Sequence, residues 1–599
     1  MIYHCEDHTC NYWDEGEKLP ERCPQCGRKL LRANEADMTG DDWTALGNTL
    51  WYAEASDKKR MVDCFRKAAY LGSAWGVCNL GICMEQGNGV EADPVQAFWL
   101  YQQAVEMGSL NAVCCLGVCY QYGIGTAPDA KQAAELYCKA AEYGSPRGQM
   151  LLARAFHDGI GVEADAAEAV HWVRAAAYQR YGEGMHRLGV CYAYGDGVEQ
   201  NWEHAVHWFR EAAESGVSVA MTDLGYCYEK GCGVEQSWEQ AFSWYRRGAE
   251  CGYPVSMSNL GLCYKRGYGV EQNWQEAIKW YEQGAQCGDL QSMHNLACCY
   301  ERGEGVEQNE ERALYWYRRS AEGGNGDAMC NLGWCYQRGY GVEQNEDRAL
   351  YWYRRGAEAG SVYCMFYLGW NYSNGVGVKQ NMTEAIRWYT AAAEGGNADA
   401  MHNLGWHYDH GEGVEQDMKK AICWYERAAE QNHPAAMNSL GECYAMGRGV
   451  PRDLETAMEW YRRAAELGEA MADYNMGWHL EQAGKLSEAY AHYRKAADGN
   501  DDSAWWALGR FYENGVVVAQ DGKEARRCYE TGEKLGSVKC KMRLARCKLL
   551  GIGGRRAKKA GLDLCRQALE LAKESSEKED YGYEAEMNLL RRTIAENES

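Results

Sequence analysis

Apolar and small residues recur along this chain at −4, −1, 0 and +3 around a marker that returns every 36 positions: Gly81, Gly117, Ala153, Gly189, Gly225, Gly261, Ala297, Gly333, Gly369, Gly405, Gly441 and Gly477. Leu stands at −1 in eleven successive copies, Leu80 to Leu440, and Met at −4 in eight, Met185 to Met437. An aromatic usually fills +3, as in Tyr120, Phe156 and Tyr192. These four offsets share one face of a 3.6-residue helix, so the pattern predicts an amphipathic helix A whose small zero position lets a second helix come close. Weaker copies at Gly47, Gly509 and Ala545 extend the array to about fifteen units.

Polar and glycine positions punctuate the same register. Glycines at +6 and +8, such as Gly195 and Gly197, mark a turn that positive φ permits. Asp, Asn or Ser fills +12 in all eleven copies from Asp93 to Asp453, the residue types that cap the free amides opening a helix B. Ala fills +16, Ala97 to Ala457, and Trp-Tyr commonly fills +19 and +20, as in Trp244-Tyr245. At +27 nine of the eleven copies carry Gly and one carries Asn432, as a left-handed helix end demands; Arg180 is the exception. Two helices per repeat follow from local chemistry alone.

The segment Ala220 to Val234, with Ala241, Trp244 and Tyr245, resembles the Sel-one-like repeat (SLR) family, relatives of the tetratricopeptide repeats with a longer, Gly-containing loop. The resemblance covers roughly residues 41 to 570. It implies a right-handed α-solenoid, all-α in class, that serves as a protein-binding scaffold, and it implies no reaction. The unit after Gly477 lacks the Gly-x-Gly-Val loop and is closer to a plain tetratricopeptide hairpin.

Composition narrows the partners. With 63 basic against 86 acidic residues the net charge is −23, which disfavours a nonspecific grip on nucleic acid or on an anionic membrane. Proteins or peptides are the expected partners, rather than small-molecule substrates. The amino terminus lacks a basic and apolar signal segment, and eighteen apolar residues never run together, so a cytoplasmic location is expected. Among 28 cysteines, eight stand at +2 (Cys83, Cys119, Cys191, Cys227, Cys263, Cys299, Cys335, Cys443) without a partner at a fixed register, which favours small buried thiols over a disulfide ladder.

The first 30 residues differ in kind. Cys5, Cys10, Cys23 and Cys26 form two pairs around a short loop, a spacing that suits a structural, four-thiolate zinc site. The Cys23-Pro24-Gln25-Cys26-Gly27 half resembles the second knuckle of zinc ribbons and rubredoxin-like modules; in the first half His8 is an alternative ligand to Cys10. So small a segment draws its folding energy from the metal. The expected organisation is a zinc-ribbon-like module at 1–32, a linker at 33–40, the solenoid at 41–570, and a charged tail with a capping helix at 571–599.

On helix A the offsets −2, +1 and +5 lie opposite the packed face, on the surface that lines the concave groove of related solenoids. They read as asparagines at −2 (Asn259, Asn295, Asn331, Asn403, Asn475), tryptophans at +1 (Trp334, Trp370, Trp406, Trp478) and cations at +5 (Lys230, Arg266, Arg302, Arg338). Amides bond a peptide backbone, indoles anchor apolar side chains and arginines pair with carboxylates, so this surface is the expected partner site. His402, His407 and His410 share one helix but lack a carboxylate-histidine zinc motif. The chain carries no Gly-x-Ser-x-Gly elbow and no His-Glu-x-x-His. The leading function class is an intracellular interaction scaffold and not an enzyme. The second, by analogy within the family, is an enzyme or cell-wall-related factor acting on a small ligand.

Overall fold

The computed structural model describes residues 2–5, 13–15, 30–33, 35–51, 55–578 and 583–598. Among the described residues thirty-one α-helices follow one another, one more than fifteen hairpins require, and every helix from Ala74–Gln86 to Val538–Leu550 has 13 residues. They group into two compact bodies, Met1–Asn309 and Glu310–Ser599. Within each body a helix packs on its hairpin partner and on the next hairpin, so the core is a succession of small layers.

Local chemistry fixes each helix. Asp93, Asn201, Asn273 and Asn345 at +12 accept from the third residue on at 2.9, 3.0, 3.1 and 2.9 Å, opening helix B. A second cap at −8 opens helix A: Ser73, Asp289 and Asn397 accept from Gly76, Ser292 and Ala400. A glycine at +6 closes helix A, as Gly195 does at φ 76° with its amide 2.9 Å from the Cys191 carbonyl. The glycine two residues on meets the preceding hairpin: at Gly125, φ 69°, a Cβ would run into the Pro94 carbonyl. Glutamine at +11 latches the loop, its amide donating to the carbonyl at +4: Gln200 to Ala193 at 2.7 Å, Gln236 to Glu229 at 2.7 Å and Gln416 to Asp409 at 2.6 Å. The sequence pattern alone did not reveal that latch.

The core of most layers is the +20 tyrosine. Tyr101, Tyr137, Tyr245 and Tyr281 in the first body, and Tyr353, Tyr389, Tyr425 and Tyr461 in the second, are buried. The ring lies over the zero position, where a Cβ on Gly369 would sit 2.7 Å from Tyr389 Cδ1. In several layers the hydroxyl donates to the +4 side chain, as Tyr101 does to Glu85 at 2.6 Å, Tyr245 to Glu229 at 2.8 Å and Tyr353 to Gln337 at 2.9 Å, whereas the Tyr281 hydroxyl, facing Lys265, has no partner among the described residues. Burial of phenol and partner together satisfies the polar atom. The Trp-Tyr dipeptide divides its labour: the +19 tryptophan is half-buried and can carry an arginine three residues on, with Arg247 4.3 Å from Trp244 and Arg427 4.3 Å from Trp424. All eight +2 cysteines are buried free thiols, filling the tight contact as small hydrophobes.

At the amino end, strands Ile2–Cys5, Trp13–Glu15 and Leu30–Ala33 pair antiparallel with the first in the middle. Besides the array, the described residues thus include a small sheet and a 3-10 turn at Glu35–Asp37. Cys5 ends the first strand; His8, Cys10, Cys23 and Cys26, and with them the zinc expectation, lie outside the described residues. At the other end the helix Lys558–Lys578 runs past residue 570, and Glu584–Glu598 lays Met587, Leu590 and Ile594 against Met542, Leu549 and Ala568. Arg543 grips Glu586 from that last helix at 2.6 and 2.7 Å, with Trp506 Nε1 donating to the same carboxylate at 3.2 Å. No helix among the described residues is long and apolar enough to cross a membrane.

Candidate partner-binding surface

Helix A turns its −4, −1, 0 and +3 residues inward, which leaves −2, +1 and +5 as its open face. In the second body this face brings three of the predicted residues together. Trp334 and Trp370 stand one repeat apart, Arg338 lies one turn beyond Trp334, and with Gln337, Phe366 and Tyr367 they surround a hollow of about 380 Å³. Trp370 is 36% exposed and Arg338 is exposed. Val376, Gln344 and Glu346 complete the lining, so the hollow combines two indoles and apolar groups with both a cation and an acid, and its aromatic content is that of an anchor pocket for a partner side chain.

The remaining predicted residues are placed differently. Trp406 is 39% exposed and stacked on His410 with ring centroids 4.3 Å apart, outside that hollow. Asn331 and Asn403 are half-buried in the second body. In the first body Asn259 is half-buried, and Arg266 and Arg302 are exposed, the latter with Nη1 3.9 Å from Glu304. The asparagine ladder is engaged between repeats. Asn295 Nδ2 reaches Ser258 Oγ at 3.5 Å while its oxygen accepts from Gln291 at 3.2 Å. Asn475 donates to Asn438 at 2.9 Å and to Glu442 at 3.3 Å. These amides stitch neighbouring A helices, so the tryptophans and arginines are the freer contacts.

The histidines form no metal centre, and no group able to hold a metal occurs among the described residues. His407 is buried with Nδ1 3.0 Å from the Glu412 carbonyl, and burial pushes its pKa down. His402 packs 5.1 Å from the ring of His433; burial first, and the His433 charge second, push its pKa down to about 4. His433 in turn lies 3.2 Å from Asp399.

A second concavity, in the first body between helices Pro146–Asp158, Ala166–Tyr178 and Gly182–Tyr194, was not foreseen. Its signal was present in the register, because +20 is Val173 there instead of an aromatic.

Helical hairpins repeated in one register, with their open faces aligned on helix A, define a hairpin-repeat protein. The chain belongs to the Sel1 repeat family, whose repeat matches thirteen successive segments: 76–109, 112–145, 146–181, eight of 36 residues from 182 to 469, 470–501 and 504–537. It is similar to c5321, a protective antigen present in uropathogenic Escherichia coli strains that displays an SLR fold. The two are 32% identical with a TM-score of 0.50, over 75% of this chain and 97% of that one. A Sel1 repeat protein from Oxalobacter formigenes is 32% identical over 41% of this chain and 96% of its own, with a TM-score of 0.38. No curated protein sequence matches. Sel1 and tetratricopeptide-like repeat proteins generally mediate protein–protein interactions.

Proposed function

We propose that this chain is an interaction scaffold whose open helix-A face holds an extended segment of a partner protein. The observation that carries this reading is the hollow walled by Trp334 and Trp370, with Arg338 at its edge. Indoles exposed at a one-repeat interval give an extended chain successive anchors, and a +5 arginine pairs with a carboxylate between them. Such cations on a chain of net charge −23 form a local contrast that orients an acidic segment. The twenty-four free thiols of the described residues support a reducing, intracellular setting.

The test is capture of the partner from native extract by wild type and by the variant Trp370→Ala with Arg338→Gln, with helicity checked by circular dichroism. At least a tenfold loss of the captured partner, at unchanged helicity, is expected. Undiminished capture would remove the proposal.

A further inference from the structure

In three repeats of the first body the +20 tyrosine and the +4 polar residue are a matched pair: Tyr101 with Glu85, Tyr137 with Gln121 and Tyr245 with Glu229, at 2.6, 2.7 and 2.8 Å, whereas Tyr281 faces Lys265 and its hydroxyl has no partner among the described residues. Where the ring is Phe209, +4 is Ala193, so hydroxyl and acceptor are lost together. The repeat centred on Ala153 breaks the pairing. Its +20 residue is Val173, too short to reach across the layer, yet +4 keeps a polar group, His157.

A cavity of about 590 Å³ opens there. Ala153 and Val173, at the offsets that face and hold the ring in sister repeats, line it together with Val170. Leu151, Arg154 and Arg187, at −2, +1 and −2, line it too, so the cavity opens on the helix-A face. Two of its arginines are matched: Arg154 by Asp158 at 3.4 Å and Arg187 by Asp196 at 3.3 Å. His157 bridges the same two carboxylates at 2.7 and 3.3 Å. Arg147 is not matched. Its Nη1 donates to Asn111 Oδ1 at 2.6 Å and to the Cys115 thiol at 3.6 Å, and no carboxylate is paired with it among the described residues.

We propose that this cavity receives a tyrosine side chain from an acidic segment of the partner protein. The ring takes the place that the +20 tyrosine holds in sister repeats, the hydroxyl donates to one of the carboxylates, Asp158 or Asp196, that His157 bridges, and a neighbouring carboxylate of the partner pairs with Arg147. A carboxylate is the natural ligand for a guanidinium that has no paired counter-charge. The inference rests on the helix-A face being the docking surface, and it names the chemistry one part of that face selects.

The full chain is titrated calorimetrically with acetyl-Glu-Tyr-Glu-amide, with the Glu-Ala-Glu and Lys-Tyr-Lys counterparts, and with 4-hydroxyphenylacetate. Saturable binding of the first peptide is expected, with at least a tenfold loss for either counterpart. Val173→Tyr, which restores the repeat's own ring, is expected to abolish binding without lowering the thermal midpoint. Since Ala297 and Tyr317 hold the same two register positions in this sequence, alanine at zero tolerates the change. Val173→Phe serves as the second filling variant, and Arg147→Gln is expected to erase the preference for glutamate over lysine. Absent binding, binding indifferent to both filling variants, or an equal affinity for Glu-Ala-Glu would overturn the proposal. So would a free phenolic acid binding as tightly as the peptide, which would assign the cavity to a small molecule. Loss of partner capture by the Trp370 and Arg338 variant, with the peptide unbound, would sink this inference alone.

Discussion

Single side chains decide what each repeat does. The exposed offsets on helix A were legible because a 100° step per residue separates them from the packed ones, and Trp370, Trp406, Arg266, Arg302 and Arg338 are exposed accordingly. What could not be read was engagement: whether Asn295 is free depends on Ser258, 37 residues away, and on Gln291. Titration is another residue-scale property with a measurable outcome. His402 is held neutral in the fold, with its pKa at about 4 against an ordinary 6.5. The unfolded chain therefore binds the additional proton first, and stability falls as pH drops from about 6.5 toward 4. The contribution is complete above that window and amounts to about 3 kcal/mol at most. Asp399, lowered by its bond to His433, loses its own contribution only below the ordinary carboxylate range, outside the window. His402→Asn, the residue type that Asn438 supplies at the same offset, is expected to reduce the difference in urea midpoint between pH 7.5 and 4.5, the remainder belonging to other buried histidines such as His407. An unaltered difference would show that His402 does not carry it.

At the scale of the element, helix ends were the most legible feature, since a cap is a local bargain between one side chain and two or three amides. The +12 caps follow their residue types, whereas the −8 caps escaped notice because Tyr181, Val217 and Tyr253 interrupt the series and make no side-chain cap. Arg180 teaches the complementary lesson. Glycine fills its offset elsewhere, yet Arg180 keeps the left-handed conformation at φ 59°, as Asn432 does at φ 60°. The packing of helices on either side imposes the turn, and arginine bears the strain that glycine avoids. Arg180→Gly is therefore expected to stabilise the first body by about 1 kcal/mol, less any loss of the exposed pair with Glu211, read as a higher urea midpoint. A lower midpoint would mean that the side chain, and not the backbone, governs this turn.

For the molecule as a whole, the 36-residue period was enough to establish the hairpin array, because each layer is built from neighbours close in sequence and needs no distant pairing. The amino-terminal strands are another matter: their pairing links residues far apart relative to their length, and no periodicity announces it. The Val173 cavity lies between these cases. A single departure from the register marked the place, but its consequence, a hollow bordered by an unmatched Arg147, required three helices in contact. The central claim is that partners meet this chain on helix A. Its most direct measurement places a photo-crosslinking benzoylphenylalanine at Trp370, or at the exposed Arg387 of helix Met382–Glu394, and maps adducts formed with the partner. The account predicts a discrete adduct from position 370 and none from 387; a partner trapped from 387 and not from 370 would contradict it.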